Sequence, residues 1–353
     1  MVADKRLAIL ARMDDSGLGH QTRDLVRLLK PDKVVAIDFQ FYNGFKQHPE
    51  WYEKYNTKYI QGFIQDNDVL DIIQDVDVVL TAETFYNNRF IDMANNVGVA
   101  TLNQINYEFF EPLQNRSLLL PTKILMPSYW HLEDLQNQTV PGKVEYLPPP
   151  VFVEDYHKVR DENMTRKGKR RFLHVAGRIA AHDRAGTQDL LKAIKLVDVD
   201  FELVIKVQSG EMLITDDPRV TLDYSFPEDE KELYRGFDAM IMPRRYAGLN
   251  LPMNEALASG LPVIMTNIEP NNKVLPSYWL VDSYKADSFF ARTPIDVWSA
   301  DHNALAARIR ELVLMDTMFL TGQKTEAYLI ARREFDPATL YDKFIRLIEQ
   351  IDV

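Results

Sequence analysis

Three consecutive prolines, Pro148-Pro149-Pro150, interrupt the chain, and the same pattern of short apolar runs and amphipathic segments stands on either side of them. Before the prolines, Val/Ile/Leu-rich runs fall at residues 7–11, 34–37, 76–80, 97–102 and 123–126, and a helix is predicted over 20–29 with Leu25, Val26, Leu28 and Leu29 on its apolar side. Runs of this kind, without polar alternation, suit strands covered by helices on both faces, as in a parallel sheet. The prolines can neither sit inside a helix nor feed a central ladder. After them the pattern restarts at 171–177, with predicted helices at 187–196, 228–237 and 252–259, strands at 201–205, 239–242 and 262–265, and helical periodicity from 303 to 351. Two successive sets of βα units predict an α/β chain of two doubly wound, Rossmann-like domains facing each other across a cleft. The expected divisions are 1–160, 161–334 and a C-terminal helix at 335–353 packing back on the first domain.

At 353 residues the chain is long enough for two such domains, and 46% hydrophobic with 26% charged residues excludes disorder. No run approaches the roughly 18 uninterrupted apolar residues that span a bilayer, and the start lacks the long apolar segment of a secretory signal, so a cytoplasmic location is expected. Cysteine is absent, which removes disulfides, thiolate metal sites and cysteine nucleophiles and leaves chemistry to oxygen, nitrogen and backbone groups. With 41 Lys and Arg against 52 Asp and Glu, the net charge of -11 repels polyanions and weighs against a generic nucleic-acid coat, although a local basic groove escapes this argument. The densest basic run, 166–171, reads as a solvated linker between the domains.

The most informative stretch is 242–264. It reads as a buried strand, a glycine-bearing loop, a helix begun by Pro252, a stop at Gly260 and another buried strand. A helix start at the C-terminal edge of a parallel sheet gathers backbone N–H groups and suits a diphosphate. Glu255, one turn into that helix, can accept hydrogen bonds from two hydroxyls, such as those of a ribose, near the positive end of the helix dipole. Earlier, Ser16-Gly17-Leu18-Gly19-His20 forms a glycine-bearing strand-to-helix turn that lets a ligand approach the backbone. Thr22 stands where a dinucleotide fingerprint needs its third glycine, which argues against a dehydrogenase.

On these residues the chain resembles the retaining glycosyltransferases of the GT-B fold, specifically glycosyltransferase family four. Tyr246, Gly248, Leu251, Pro252, Glu255, Ala256, Ala258, Gly260, Pro262 and Val263 match that family's loop-and-helix pattern in register. The resemblance implies transfer of a hexose or pentose from a nucleotide-diphosphate sugar to a hydroxyl, with UDP the commonest carrier. It implies that Gly17, Gly19, Lys206, Gly248, Leu249, Asn250, Leu251 and Glu255 bind the donor. It also implies that Arg178 and Arg184 hold the departing diphosphate, and that Tyr107 and Glu108 stand at the cleft position of the family's His-Asp element. Arg244 and Arg245 are further candidates for substrate contact. The first glutamate of the family's pair is replaced by Ala247, and the next two positions by Leu249 and Asn250. That departure keeps open a non-catalytic sugar-nucleotide or glycan-binding protein. No metal is implied: His20, His174 and His182 lack ligand spacing, Asp14-Asp15 is not the Asp-x-Asp of metal-dependent sugar transferases, and His174 in its apolar strand reads as a satisfied core residue. Residues 16–19, 244–246 and 268–272 together look most like glycosyltransferases of tailed bacteriophages. Acceptors implied by such an origin are a hydroxymethylated pyrimidine in DNA or a virion protein, and by a cellular origin a glycan or lipid carrier.

Overall fold

A computed structural model describes residues 5–110, 119–179, 182–210, 213–225, 227–246 and 248–352. The chain forms two compact units, residues 1–150 with 291–293 and 337–353, and residues 151–290 with 294–336. The division follows directly on Pro150. The helical segment Val153–Tyr156 and helix His157–Thr165, placed by sequence in the first domain up to residue 160, therefore belong to the second unit, where Val153, Tyr156 and Val159 are buried.

The first unit is built on a seven-stranded parallel sheet in the order β3-β2-β1-β4-β5-β6-β7, the strands being β1 Leu7–Arg12, β2 Lys33–Asp38, β3 Thr57–Gln61, β4 Val78–Ala82, β5 Ala100–Gln104, β6 Lys123–Met126 and β7 Val144–Tyr146. Strand order reverses at β1, so the loops after β1 and β4 flank the switch point where doubly wound sheets bind ligands. Every residue of β4 and β5 is buried, in β5 including Thr101, Asn103 and Gln104, and Gln104 is satisfied by Gln21 and Leu147 O. Edge strand β3, Thr-Lys-Tyr-Ile-Gln, buries only Ile60, so it lacks the apolar run that marks the others and sequence reading passed over it. Helix Pro337–Gln350 lies in this unit, buries Leu340, Phe344, Ile345, Leu347 and Ile348, and packs on helix Gly17–Leu29.

The second unit carries a six-stranded parallel sheet, β10-β9-β8-β11-β12-β13, with β8 Arg171–Ile179, β9 Glu202–Gly210, β10 Val220–Asp223, β11 Ala239–Ile241, β12 Val263–Thr266 and β13 Leu280–Val281. An antiparallel hairpin follows, β14 Ser283–Phe290 and β15 Pro294–Ala300. Its first strand is exposed along nearly its whole length, so no apolar run announces it. The C-terminal helical region resolves into helices His302–Leu314, Thr317–Glu334 and Pro337–Gln350, the first two begun by the aspartate caps Asp301 and Asp316.

Two readings are corrected here. The helix expected at 228–237 shrinks to one 3₁₀ turn, Glu230–Tyr234. Buried Asn163 takes the backbone groups that would have continued it: its Nδ2 donates to Tyr234 O (3.0 Å) and Ser259 O (2.9 Å), and its Oδ1 accepts from Gly236 N (2.8 Å) and Phe237 N (3.2 Å). The basic run at 166–171 is largely anchored and is not a solvated linker. Arg166 pairs with fully buried Asp238 (2.6 Å) and donates to Gly236 O (3.0 Å), and Arg170 donates to Met315 O (2.7 Å). Lys324, 2% exposed, completes this network through Asp238 (2.9 Å) and Asn163 O (2.6 Å). Its ammonium is held below the ordinary lysine value, chiefly by burial, with Asp238 opposing.

Candidate functional site

The loop between β11 and helix Leu251–Ala258 is shaped from beneath by its own arginines. Arg244 is buried, and its guanidinium donates to Tyr246 O (3.3 Å) and Leu249 O (3.1 Å). Its carbonyl accepts from Thr266 Oγ1 on neighbouring β12. Arg245 reaches the opposite way, to Trp298 O (3.0 Å) and His182 O (3.1 Å), while its backbone N–H donates to Arg184 O (3.0 Å). Read from sequence as candidate ligand contacts, both arginines are spent on holding the loop. Gly248 and Leu249 follow, and Asn250, 3% exposed, caps the helix by accepting from Met253 N (3.4 Å). Leu251 and Pro252 occupy the first helical positions. Ala247 lies outside the described residues.

Glu255 sits one turn into this helix, half-buried, and its Oε2 accepts a 2.5 Å hydrogen bond from the hydroxyl of fully buried Tyr234. Burial and the neighbouring carboxylate push the Tyr234 phenol well above its ordinary value, which keeps it a donor. Sequence reading missed Tyr234 because it lies in a segment read as helix, 21 positions before the glutamate it meets.

The adjoining loop after β8 leads into helix Thr187–Ile194. Arg184 is exposed, with its guanidinium 5.2 Å from the Tyr246 ring centroid. Asp183 turns back onto the helix start and accepts from Thr187 N (3.0 Å) and Gln188 N (2.7 Å), so a carboxylate of the chain occupies that N-terminus. Gly186 has φ +74°, and a Cβ there would lie 2.0 Å from Pro243 O, which brings the two loops into direct backbone contact. The backbone of Arg178 lies in β8, and its side chain lies outside the described residues. Lys206, on β9, is buried and engaged by Asp223 (2.5 Å) and Ser225 O (3.1 Å), a pairing that holds the Asp223 carboxyl down at about 2. The stem of the hairpin closes the other side: Phe289 stacks on His182 (4.2 Å between centroids) and meets Tyr246 edge-on (5.1 Å).

His174 roots both loops. Its ring nitrogens lie 2.7 Å from Ile241 O and 2.9 Å from Thr187 Oγ1, which assigns Nδ1 as donor and Nε2 as acceptor, with the residue fully buried as sequence reading expected. Burial depresses its proton affinity below the ordinary histidine value. The unfolded chain takes up a proton near pH 6.5 that the folded chain refuses. Stability is therefore full above about pH 6.5 and falls as the pH drops below it. Melting temperatures measured from about pH 8 to about pH 5 should show this decline, and His174→Gln should flatten it.

In the first unit, Gly19 is needed by the chain itself: a Cβ there would lie 1.7 Å from Asp14 O. Asp14, fully buried and paired with Arg12, accepts from Ser16 N (3.1 Å), and Ser16 Oγ accepts from Gly19 N (3.1 Å), so the start of helix Gly17–Leu29 also has internal partners. The Tyr107 ring stacks on His131 (4.0 Å) and packs edge-on to Trp130 (5.7 Å), and burial raises its phenol. Glu108 is 4% exposed, and its carbonyl accepts from Arg292 N (3.1 Å). Among the described residues, no group of three or more His, Asp or Glu side chains is arranged to hold a metal ion, and no helix is long and apolar enough to cross a membrane.

A family model described as glycosyl transferases group 1 matches residues 170–313, the stretch that carries both loops, Tyr234 and Glu255. By sequence, no curated protein matches the chain. In structure it is similar to Anabaena Alr3699/HepE in complex with UDP and glucose (12% identity, 98% of this chain and 99% of that one, TM-score 0.65). It is also similar to sucrose-phosphate synthase from Thermosynechococcus elongatus (13% identity, 98% of each chain, TM-score 0.66). A third neighbour is the lipopolysaccharide outer core galactosyltransferase WaaB (12% identity, 97% and 98%, TM-score 0.63). The chain thus has the two-domain fold of GT-B glycosyltransferases.

Proposed function

We propose that the protein transfers a sugar from a nucleotide-diphosphate sugar to a hydroxyl acceptor, with retention at the anomeric carbon. The observation that carries this reading is the loop running into helix Leu251–Ala258 with Glu255 braced by Tyr234, inside the segment matched by the glycosyl transferases group 1 model. Glu255 reads the ribose hydroxyls, and the backbone of Gly248, Leu249, Asn250 and Leu251 lies along the diphosphate. Exposed Arg184, with Arg178, neutralises the charge that develops on the leaving oxygen. Lys206, read from sequence as a third positive group, is neutralised by its pairing with Asp223 and adds no net charge to that field. The sugar C1–O bond to the diphosphate breaks and a C1–O bond to the acceptor forms on the same face, with the acceptor proton passing to the departing diphosphate. The protein supplies position and charge. A UDP-sugar is the proposed donor, supported by the UDP and glucose bound to the HepE neighbour.

Gly17, Gly19, Tyr107 and Glu108 are read as first-unit residues that line the substrates. Gly17 and Gly19 are assigned to the donor, and Tyr107 and Glu108 to contact with the acceptor or the transferred sugar. The net charge of -11 favours a protein or glycan hydroxyl over hydroxymethylated DNA, whose binding would need a basic rim and would weaken steeply with salt. A hexose is proposed over a pentose, and a cytoplasmic location, where nucleotide sugars are made, fits the reading. The second reading is a sugar-nucleotide-binding protein without turnover, favoured by Ala247 in place of the family glutamate.

Thermal melting against UDP, GDP, ADP, CDP and TDP and their common sugar conjugates tests the donor site. At a ligand concentration of 100 Kd, binding to the folded state adds about 2.7 kcal/mol, a readable rise in melting temperature. One nucleotide series should raise it, and release of free nucleotide from the matching sugar conjugate separates the enzyme from the binding protein. No rise with any series overturns both readings.

A further inference from the structure

We infer that Tyr234 is a positioning residue that fixes the plane of the Glu255 carboxylate, and that through it the site distinguishes a ribose from a 2′-deoxyribose. This deepens the donor reading and rests on it. Tyr234 is fully buried and ends the 3₁₀ turn Glu230–Tyr234, and its hydroxyl meets Glu255 Oε2 at 2.5 Å. A glutamate side chain one turn into a helix has three rotatable bonds, and a short bond at one oxygen restricts the direction of the other.

The phenol is itself held from behind. Asn163 donates to both Tyr234 O (3.0 Å) and Ser259 O (2.9 Å), and Ser259 Oγ donates back to Glu255 O (2.9 Å). One buried amide therefore ties together the backbone at Tyr234 and the C-terminal end of the helix bearing Glu255, and both ends of the Tyr234–Glu255 bond are located by the same residue. Tyr156 packs edge-on to the Tyr234 ring at 6.3 Å, which limits its swing. Burial keeps the phenol protonated across the neutral range, so the bond persists at every pH at which the protein would be assayed. A carboxylate held in this way presents hydroxyl acceptors in a fixed direction. Such a site discriminates when the partner hydroxyl is missing, because the fixed direction that the acceptor presents is then left unmatched.

The test uses the full chain and the nucleoside diphosphate that gives the largest melting rise, compared with its 2′-deoxy counterpart by calorimetry. The wild type should bind the ribonucleotide at least about tenfold more tightly, the range expected from one charge-assisted hydrogen bond. Tyr234→Phe should weaken the ribonucleotide several-fold, leave the deoxyribonucleotide nearly unchanged, and so shrink the ratio. A merely structural tyrosine would weaken both alike and preserve the ratio, and that result overturns the inference. Should Tyr234→Phe fail to fold, 4-fluorophenylalanine at position 234 fills nearly the same volume without the donor and must give the same collapse. In a Glu255→Ala background, Tyr234→Phe should change the ratio no further. If the wild type binds no nucleoside diphosphate the donor reading itself fails, whereas binding with an unchanged ratio in Tyr234→Phe refutes only the role of Tyr234.

Discussion

Glu255→Ala should weaken binding of the nucleoside diphosphate by about 100-fold or more, and the melting rise produced by that nucleotide should vanish at ligand concentrations that saturate the wild type. Two hydroxyl hydrogen bonds to a charged acceptor contribute about 1.5–3 kcal/mol each, and every 1.4 kcal/mol is tenfold. The same substitution leaves the buried Tyr234 hydroxyl without its acceptor, at a cost of about 1–3 kcal/mol of stability, so the unliganded variant should also melt a few degrees lower. Glu255→Gln separates the two effects. Its amide oxygen can still accept from Tyr234 and restore the melting point, while the loss of charge keeps nucleotide binding weak. An undiminished melting rise in Glu255→Ala would place the nucleotide elsewhere.

The second large effect is structural. Asp238 is fully buried between Arg166 (2.6 Å) and Lys324 (2.9 Å), and it also accepts from Arg171 N (3.0 Å). Asp238→Ala strands the buried ammonium of Lys324 and takes the carboxylate from half-buried Arg166. Removing one partner of a buried ion pair costs about 3–5 kcal/mol, which for a unit of this size lowers the melting temperature by roughly 6–20 °C. Replacing Asp238 and Lys324 together by apolar residues should recover part of the loss, since the uncompensated charge is then removed. A melting point for Asp238→Ala within a degree or two of wild type would show that water reaches the site.

Central strands were legible because burial on both faces writes an apolar run, as in β1, β2, β11 and β12, whereas β5 begins in such a run and then buries Asn103 and Gln104. Edge strands β3 and β10 and the exposed strand β14 were not, since one or both of their sides face water and their sequences carry lysine, aspartate and threonine among the apolar residues. The loop-helix at 243–258 was legible through its punctuation, with Pro252 at the helix start and Gly260 just past its end. The partners of that loop were not. Tyr234 touches Glu255 across 21 positions and Arg245 touches Trp298 across 53, and spacing along a chain does not encode such pairings. Gly19 was recognisable as a close-approach position and Gly186 was not singled out, and sequence could not say what approaches either of them. In the structure it is the chain itself, through Asp14 O and Pro243 O.

The tie between Arg245 and Trp298 bears on how freely this region can change over generations. Arg245 O accepts from Trp298 N (2.8 Å), and Arg245 Nε returns a bond to Trp298 O (3.0 Å). On the hairpin side both bonds use main-chain atoms, so they are indifferent to which side chain stands at 298. Along β14, residues 284–288 are exposed and make no part of the tie. Substitutions there can accumulate, and a new outer surface can be tried, while the loop at 243–250 keeps its shape. The fold thereby separates the shaping of the loop from the outer surface of the hairpin at the width of a single pair of strands.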